Sequence, residues 1–217
     1  MNTNSAPDAL AKRLLVVFVT LALAFGIAAL LYLRSKSGEA AAAGFGGELQ
    51  PLDNYGAAPK FEGVDQSGTA TTQRDYQGKV WIAGFFFSRC AGVCPKLMQN
   101  WRYLQEQLGD STDFGIASFT VDPGHDTPKV LADFGSKYSV RHPVWRLIHM
   151  DRADVVALSR NGFRLGTSEV PEEFVHSDRF VLIDRENKIR GYYRGTDKDD
   201  IARLATDAKT LIETPGR

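Results

Sequence analysis

The sequence predicts an α/β fold, a sheet with a hairpin on its late edge, behind an N-terminal helix that crosses a membrane. Three observations predict it. The run at 79–87, Lys-Val-Trp-Ile-Ala-Gly-Phe-Phe-Phe, has the composition of a central strand buried on both faces. Strand-like and helix-like segments then alternate, the pattern of a sheet flanked by helices. Residues 14–33 (LLVVFVTLALAFGIAALLYL) carry no charge and as a helix span about 30 Å, the depth of a hydrocarbon core.

Taken in order, residues 1–13 form a short polar tail. Lys12 and Arg13 precede the 14–33 anchor and Arg34 and Lys36 follow it, so charge orients it only weakly, while Tyr32 suits an interfacial position. A cleaved signal peptide is the competing reading, but its apolar region is shorter, about 7–15 residues. A buried core helix is disfavoured because the segment has no polar face. Residues 34–58, rich in Gly, Ala and Ser, read as a flexible tether. The folded domain is expected over 59–217, long enough for one sizeable core.

Within it, Pro95 suits the first turn of a helix, and Leu97, Trp101, Leu104 and Leu108 recur at helical spacing. Residues 114–121 read as a strand. Asp126-Thr127-Pro128 opens a helix with a capping oxygen just before proline, and Val130, Leu131 and Phe134 give its apolar face. Residues 145–150 read as a strand, 154–161 as a helix closed by Gly162, 180–189 as strand, turn and returning strand, and 199–212 as a last helix. Trp81, Phe85, Phe86 and Phe87 read as core.

Lys+Arg and Asp+Glu both number 26, so the formal charge is zero and no basic excess points to nucleic acid. Hydrophobic content of 43% excludes wholesale disorder.

The chemistry concentrates in Cys90-Ala91-Gly92-Val93-Cys94-Pro95, which holds both cysteines of the chain. A strand that turns through such a pair into a helix places its thiols at a helix N-terminus, where free N–H groups favour the thiolate. Gly92 is expected to give the turn backbone angles closed to other residues. Two thiols at this spacing either share a soft metal or close a reversible disulfide. A purely structural disulfide is the plain alternative, although so short a loop gains little from closure. Among the 4 histidines, His176 directly precedes the late strand. Loops gather at one edge of such a sheet, so His176 is a candidate third ligand, although a lone loop histidine is more often polar surface.

Gly78-Lys79-Val80, then Phe85-Phe86-Phe87-Ser88-x-Cys90-x-x-x-Cys94-Pro95, then Val121-Asp122-Pro123-x-x-Asp126-Thr127-Pro128, then His176-Ser177 resemble in order and spacing the Sco/SenC proteins, membrane-tethered thioredoxin-like copper proteins. The likeness runs from about residue 59 to the C-terminus. It implies a three-layer thioredoxin-like fold and one copper ion, Cu(I) or Cu(II), on Cys90, Cys94 and His176. It implies delivery of copper to the binuclear copper site of cytochrome c oxidase, or reduction of that site's cysteines. The implied partner is the oxidase subunit carrying that site, with other copper carriers and thiol reductants as further candidates. Two thiolates and an imidazole suit Cu(I) and also hold Cu(II).

The chain departs from the family at Ala91-Gly92-Val93, where members usually have Pro and an acidic residue between the cysteines. Val175 stands where an Asp usually precedes the histidine, leaving Asp178 as the candidate substitute to orient the ring. His125 replaces a usual arginine and reads as an alternative ligand or, more plainly, a surface histidine. Asp122 is placed to hydrogen-bond a nearby loop, although turn chemistry also explains Asp-Pro-Gly.

The alternative function is an enzyme, a thiol–disulfide oxidoreductase, in which Cys90 attacks a partner disulfide and Cys94 resolves the intermediate. A peroxidase reading is weak, because Ala83 and Phe87 stand where peroxiredoxins carry Pro and Thr before the reactive cysteine. A disulfide-capable pair behind an anchor places the domain in the periplasm, tethered to a bacterial inner membrane. No Arg- and Ser-rich presequence precedes the anchor, which disfavours a mitochondrial placement.

Overall fold

The computed structural model describes residues 26, 52–109, 112–165 and 177–214. The anchor expected at 14–33 lies outside these apart from Gly26, and among the described residues no helix is long and apolar enough to cross a membrane. The elements below all belong to the compact unit Leu52–Arg217.

Seven strands form one sheet: β1 (Glu62–Asp65), β2 (Ala70–Thr72), β3 (Val80–Phe86), β4 (Phe114–Thr120), β5 (Trp145–His149), β6 (Arg179–Ile183) and β7 (Ile189–Arg194). Their spatial order is β2-β1-β5-β4-β3-β6-β7. β3, β4 and β5 run parallel, while β1 and β6 flank them antiparallel. The helices are α1 (Cys94–Leu108), α2 (Pro128–Lys137), α3 (Arg152–Ala157) and α4 (Lys198–Glu213).

β3 behaves as its composition demands, with all of its residues buried. Alternation splits it between two cores. Val80, Ile82 and Phe86 join Leu97, Trp101, Leu104, Leu131 and Leu204 from α1, α2 and α4. Trp81, Ala83 and Phe85 face the other way, onto Phe61, Tyr76, Phe119, Val155 and Phe163. Helical segments therefore cover both faces, which makes the expected three layers.

The helix ends follow their sequence signals. Thr127 caps α2 by accepting from the Val130 N–H at 3.4 Å. Asp197 caps α4, accepting from Asp199 and Asp200 N–H at 3.0 Å, with acidic side chains in the first turn complementing the helix dipole. Gly109, at φ +72°, ends α1 in a conformation that favours glycine. The helix expected at 154–161 begins earlier, at Arg152, and its end widens into a π-type turn, Leu158–Gly162.

Two features go beyond the sequence reading. The β1–β2 hairpin was not anticipated, because strands of 4 and 3 residues are too short to show alternation. Its turn is organised by the buried Asp65 carboxylate, which accepts from the Ser67 and Thr69 N–H groups and faces His142 Nε2 at 2.9 Å. In addition, residues 52–58, the end of the expected tether, are bound to the late hairpin. Tyr55 N–H donates to Ile189 O at 3.0 Å, Ala58 N–H donates to Asn187 O at 2.8 Å, and Arg190 holds the Leu52 and Asp53 carbonyls.

Gly84 on β3 leaves the space that Trp101 of α1 fills. Trp101 also stacks on Phe180 of β6, with ring centroids 4.5 Å apart. A Cβ at Gly84 would lie 2.6 Å from Trp101 Cζ2 and 3.3 Å from the Arg179 carbonyl oxygen. Gly84→Ala is therefore expected to cost about 3 kcal/mol, the upper end of overpacking penalties. Urea unfolding should show this as a lowered midpoint with an unchanged slope.

Candidate metal centre

The cysteine loop leaves the sheet where β3 ends and returns as α1. Cys90 N–H donates to the Phe87 carbonyl at 3.3 Å, which closes the first turn. Val93 occupies the cap position of α1 without a side-chain cap, and Pro95 stands in the first turn. The sulfur of Cys90 instead accepts from the first N–H of the helix, that of Cys94. Cys90 is half-buried and Cys94 is buried, and neither is in a disulfide.

This asymmetry sets the two thiols apart. Burial pushes the Cys90 thiol up, but the backbone N–H and thiol of Cys94 and the N–H groups of Gly92 and Val93 donate to its sulfur. The donors prevail, and the Cys90 pKa lies below the ordinary thiol value. At Cys94 burial prevails and pushes the thiol up to about 12, and its hydrogen bond to Cys90 and the charges of Cys90 and Asp126 add to the rise. The Phe87 N–H, which favours the Cys94 thiolate, does not offset this.

Gly92 does not have the backbone role expected of it. The described glycines with positive φ are Gly56, Gly68, Gly78 and Gly109. The atom nearest to a Cβ at Gly92 would be Cys90 Sγ, at 4.0 Å. A small residue here leaves the flank of the sulfur uncovered.

The Val121–Pro128 segment packs beside the loop. Arg89 Nε and Nη2 both donate to Asp122 Oδ2, at 2.9 and 2.6 Å, so Asp122 does bond the loop. Asp126 is fully buried. Its Oδ2 accepts from Ser88 N–H at 3.0 Å and from Thr120 Oγ1 at 2.5 Å, and its Oδ1 accepts from Ser88 Oγ. Its backbone carbonyl accepts from His149 Nδ1 at 3.0 Å. Sequence reasoning gave Ser88 and Asp126 only as members of motifs, missed Thr120, and did not foresee that the three pair. The available signal was that Asp126-Thr127 offers two capping oxygens where the helix needs one.

Cys90 and Cys94 are thus brought together as expected. His176 lies outside the described residues, and the chain resumes at Ser177. Among the described residues no three His, Cys, Asp or Glu side chains gather as a metal cluster. His125 is exposed, while His142 faces Asp65. Asp178 accepts from Thr196 Oγ1 at 3.1 Å. Two free thiols in mutual hydrogen-bond contact form a soft donor pair that fits copper.

Comparison with known proteins shows the family and the fold. The SCO1/SenC family matches the chain over residues 50–213. A SCO1 protein homolog of Bacillus subtilis is 28% identical over 173 residues, covering 76% of this chain and 89% of that one. The structure of BsSco, described as a member of the Sco family of cytochrome c oxidase assembly proteins with a disulfide switch, superposes with a TM-score of 0.65 at 24% identity. That match covers 76% of this chain and 98% of the other. ScoI of Bradyrhizobium japonicum, solved with copper bound, matches with a TM-score of 0.58 at 21% identity, over 72% of this chain and 99% of its own. The thioredoxin-like Sco fold is therefore the fold of this chain.

The difference between the thiols has a direct readout. In the reduced chain at neutral pH, iodoacetamide should modify Cys90 at least about tenfold faster than Cys94, because only the thiolate reacts. The Cys90 rate should level off at a lower pH than that of a free thiol, while Cys94 remains slow across the accessible range. Mass spectrometry of the two labelled sites checks both points, and equal rates would contradict the asymmetry.

Proposed function

The chain belongs to the SCO1/SenC family, and from that premise we propose that it binds one copper ion through Cys90, Cys94 and His176 and serves the assembly of cytochrome c oxidase. The target is the binuclear copper site, reached either by delivering copper or by reducing that site's cysteines. The observation that carries the reading is the pairing of Cys90 and Cys94 on one loop at the end of β3.

The late strand supports the third ligand. β6 runs antiparallel to β3, with Ala83 opposite Val181 and Trp81 opposite Ile183. The start of β6 therefore lies toward the end of β3 from which the cysteine loop departs. Ser177 belongs to the segment leading into β6, and His176 immediately precedes it in sequence. Copper bound there is cargo. Cys90, the more accessible donor, is the one open to replacement by a ligand of the partner. The anchor expected at 14–33 would hold the domain on the periplasmic side of the inner membrane and raise its concentration near a membrane-bound target.

A second reading, thiol–disulfide exchange, is favoured by the different environments of the two thiols. The Cys90 thiolate attacks a partner disulfide, forming a mixed disulfide and releasing one partner thiol. The Cys94 thiol then gives up its proton and attacks Cys90 Sγ. This closes the Cys90–Cys94 disulfide and releases the second partner thiol, so the partner gains the two electrons that the pair loses.

Titration of the reduced full-length chain with Cu(I) and Cu(II) separates the readings. The wild type is expected to take up one equivalent and show a sulfur-to-Cu(II) charge-transfer band. His176→Ala should weaken binding by at least about tenfold and leave exchange with a small disulfide unchanged. Several weak equivalents, equal in both proteins, would leave the exchange enzyme as the better account.

A further inference from the structure

Beneath the cysteine loop, Asp126 joins the ends of three parallel strands. It holds β3 through Ser88, just past the strand end, and β4 through its last residue, Thr120. Its main-chain carbonyl holds β5 through the last residue of that strand, His149. The following helix does not need the carboxylate, because Thr127 already caps α2. Neither copper ligation nor the thiol-exchange steps described above place a bond on it, although its charge adds to the rise at Cys94. A buried carboxylate with this many donors is nonetheless costly to disturb, since each lost acceptor leaves a buried polar group unpaired.

We propose that Asp126 is a positioning residue for the cysteine pair: by clamping Ser88 through both its N–H and its hydroxyl, it fixes the take-off of the loop and holds Cys90 against Cys94. The two ends of the loop are anchored differently. Cys94 begins a helix whose Leu97, Met98 and Trp101 are sunk in the core. The other end has left the sheet after Phe86, and the Ser88–Asp126 pair restrains it from a buried position. The Arg89–Asp122 ion pair adds little, because the Arg89 side chain is 60% exposed. Ordering the loop in advance removes a cost that disulfide closure would otherwise meet. Loosening it lowers the effective concentration of one thiol at the other.

The test uses the full-length chain in glutathione buffers: protein dithiol plus glutathione disulfide gives protein disulfide plus two glutathione thiols. Asp126→Asn keeps the size of the side chain but presents a donor where acceptors are needed. It should lower the equilibrium constant for closing the Cys90–Cys94 disulfide about tenfold, or about 30 mV for this two-electron couple. Ser88→Ala removes only the hydroxyl bond and should lower it about threefold. If folded Asp126→Asn, with wild-type near-ultraviolet circular dichroism, keeps the wild-type constant, the proposal is overturned even should its melting temperature fall. If that variant does not fold, Ser88→Ala decides: a threefold drop supports the clamp and no change overturns it. The proposal rests on Cys90 and Cys94 being the reactive pair. The glutathione equilibrium involves neither copper nor His176, so it can fail while the copper reading stands.

Discussion

Burial of β3 on both faces is the constraint from which the rest of the domain follows. A strand so enclosed must send alternate side chains into two separate cores, and its residues do so, Ile82 toward α1 and Trp81 toward Phe61. The enclosure ends abruptly after Phe86, where the chain turns out of the sheet. The cysteines occupy that exit. Trp101, seated against Gly84 and Phe180, draws α1 back over the strand and fixes the direction from which Cys94 approaches. A hydrophobic requirement in the middle of the sheet thereby determines where the reactive sulfurs stand.

The two thiols differ because one loop gives them different surroundings. Cys90 sits before the helix, where unpaired N–H groups converge on its sulfur. Cys94 opens the helix itself, and its side chain enters the core. Helix geometry separates residues of similar chemistry into a half-buried nucleophile or exchangeable ligand and a buried partner. The same arrangement serves copper carriage and thiol exchange, which is why a third donor from a remote segment distinguishes the two.

The sequence made the large periodic elements legible. β3, α1 and the β6–β7 hairpin were visible because long apolar runs and polar turns leave patterns that survive without structural context. The cysteine pair was visible because no other cysteines compete with it. The β1–β2 hairpin was not visible, since its strands are too short to establish a period. The Ser88–Asp126 clamp was hidden for another reason. Its partners lie 38 positions apart and pair across strand ends, and each alone resembles an ordinary loop or cap residue. Gly92 misled because glycine between turn residues usually signals unusual backbone angles, whereas here its missing side chain keeps the sulfur clear.

The segment bound along the late hairpin carries a consequence for how separate copies of the molecule behave. An outermost strand normally presents unpaired amides and carbonyls, a template for another chain to stack upon. At the start of β7 those groups are already taken, since Ile189 exchanges hydrogen bonds with Tyr55 and Gly56, and Ala57 bridges to Lys188. Farther along, the Arg190 side chain holds the Leu52 and Asp53 carbonyls against the same border. A polypeptide stretch that contributes nothing to the chemistry thus works as a guard rail against edge-wise polymerisation.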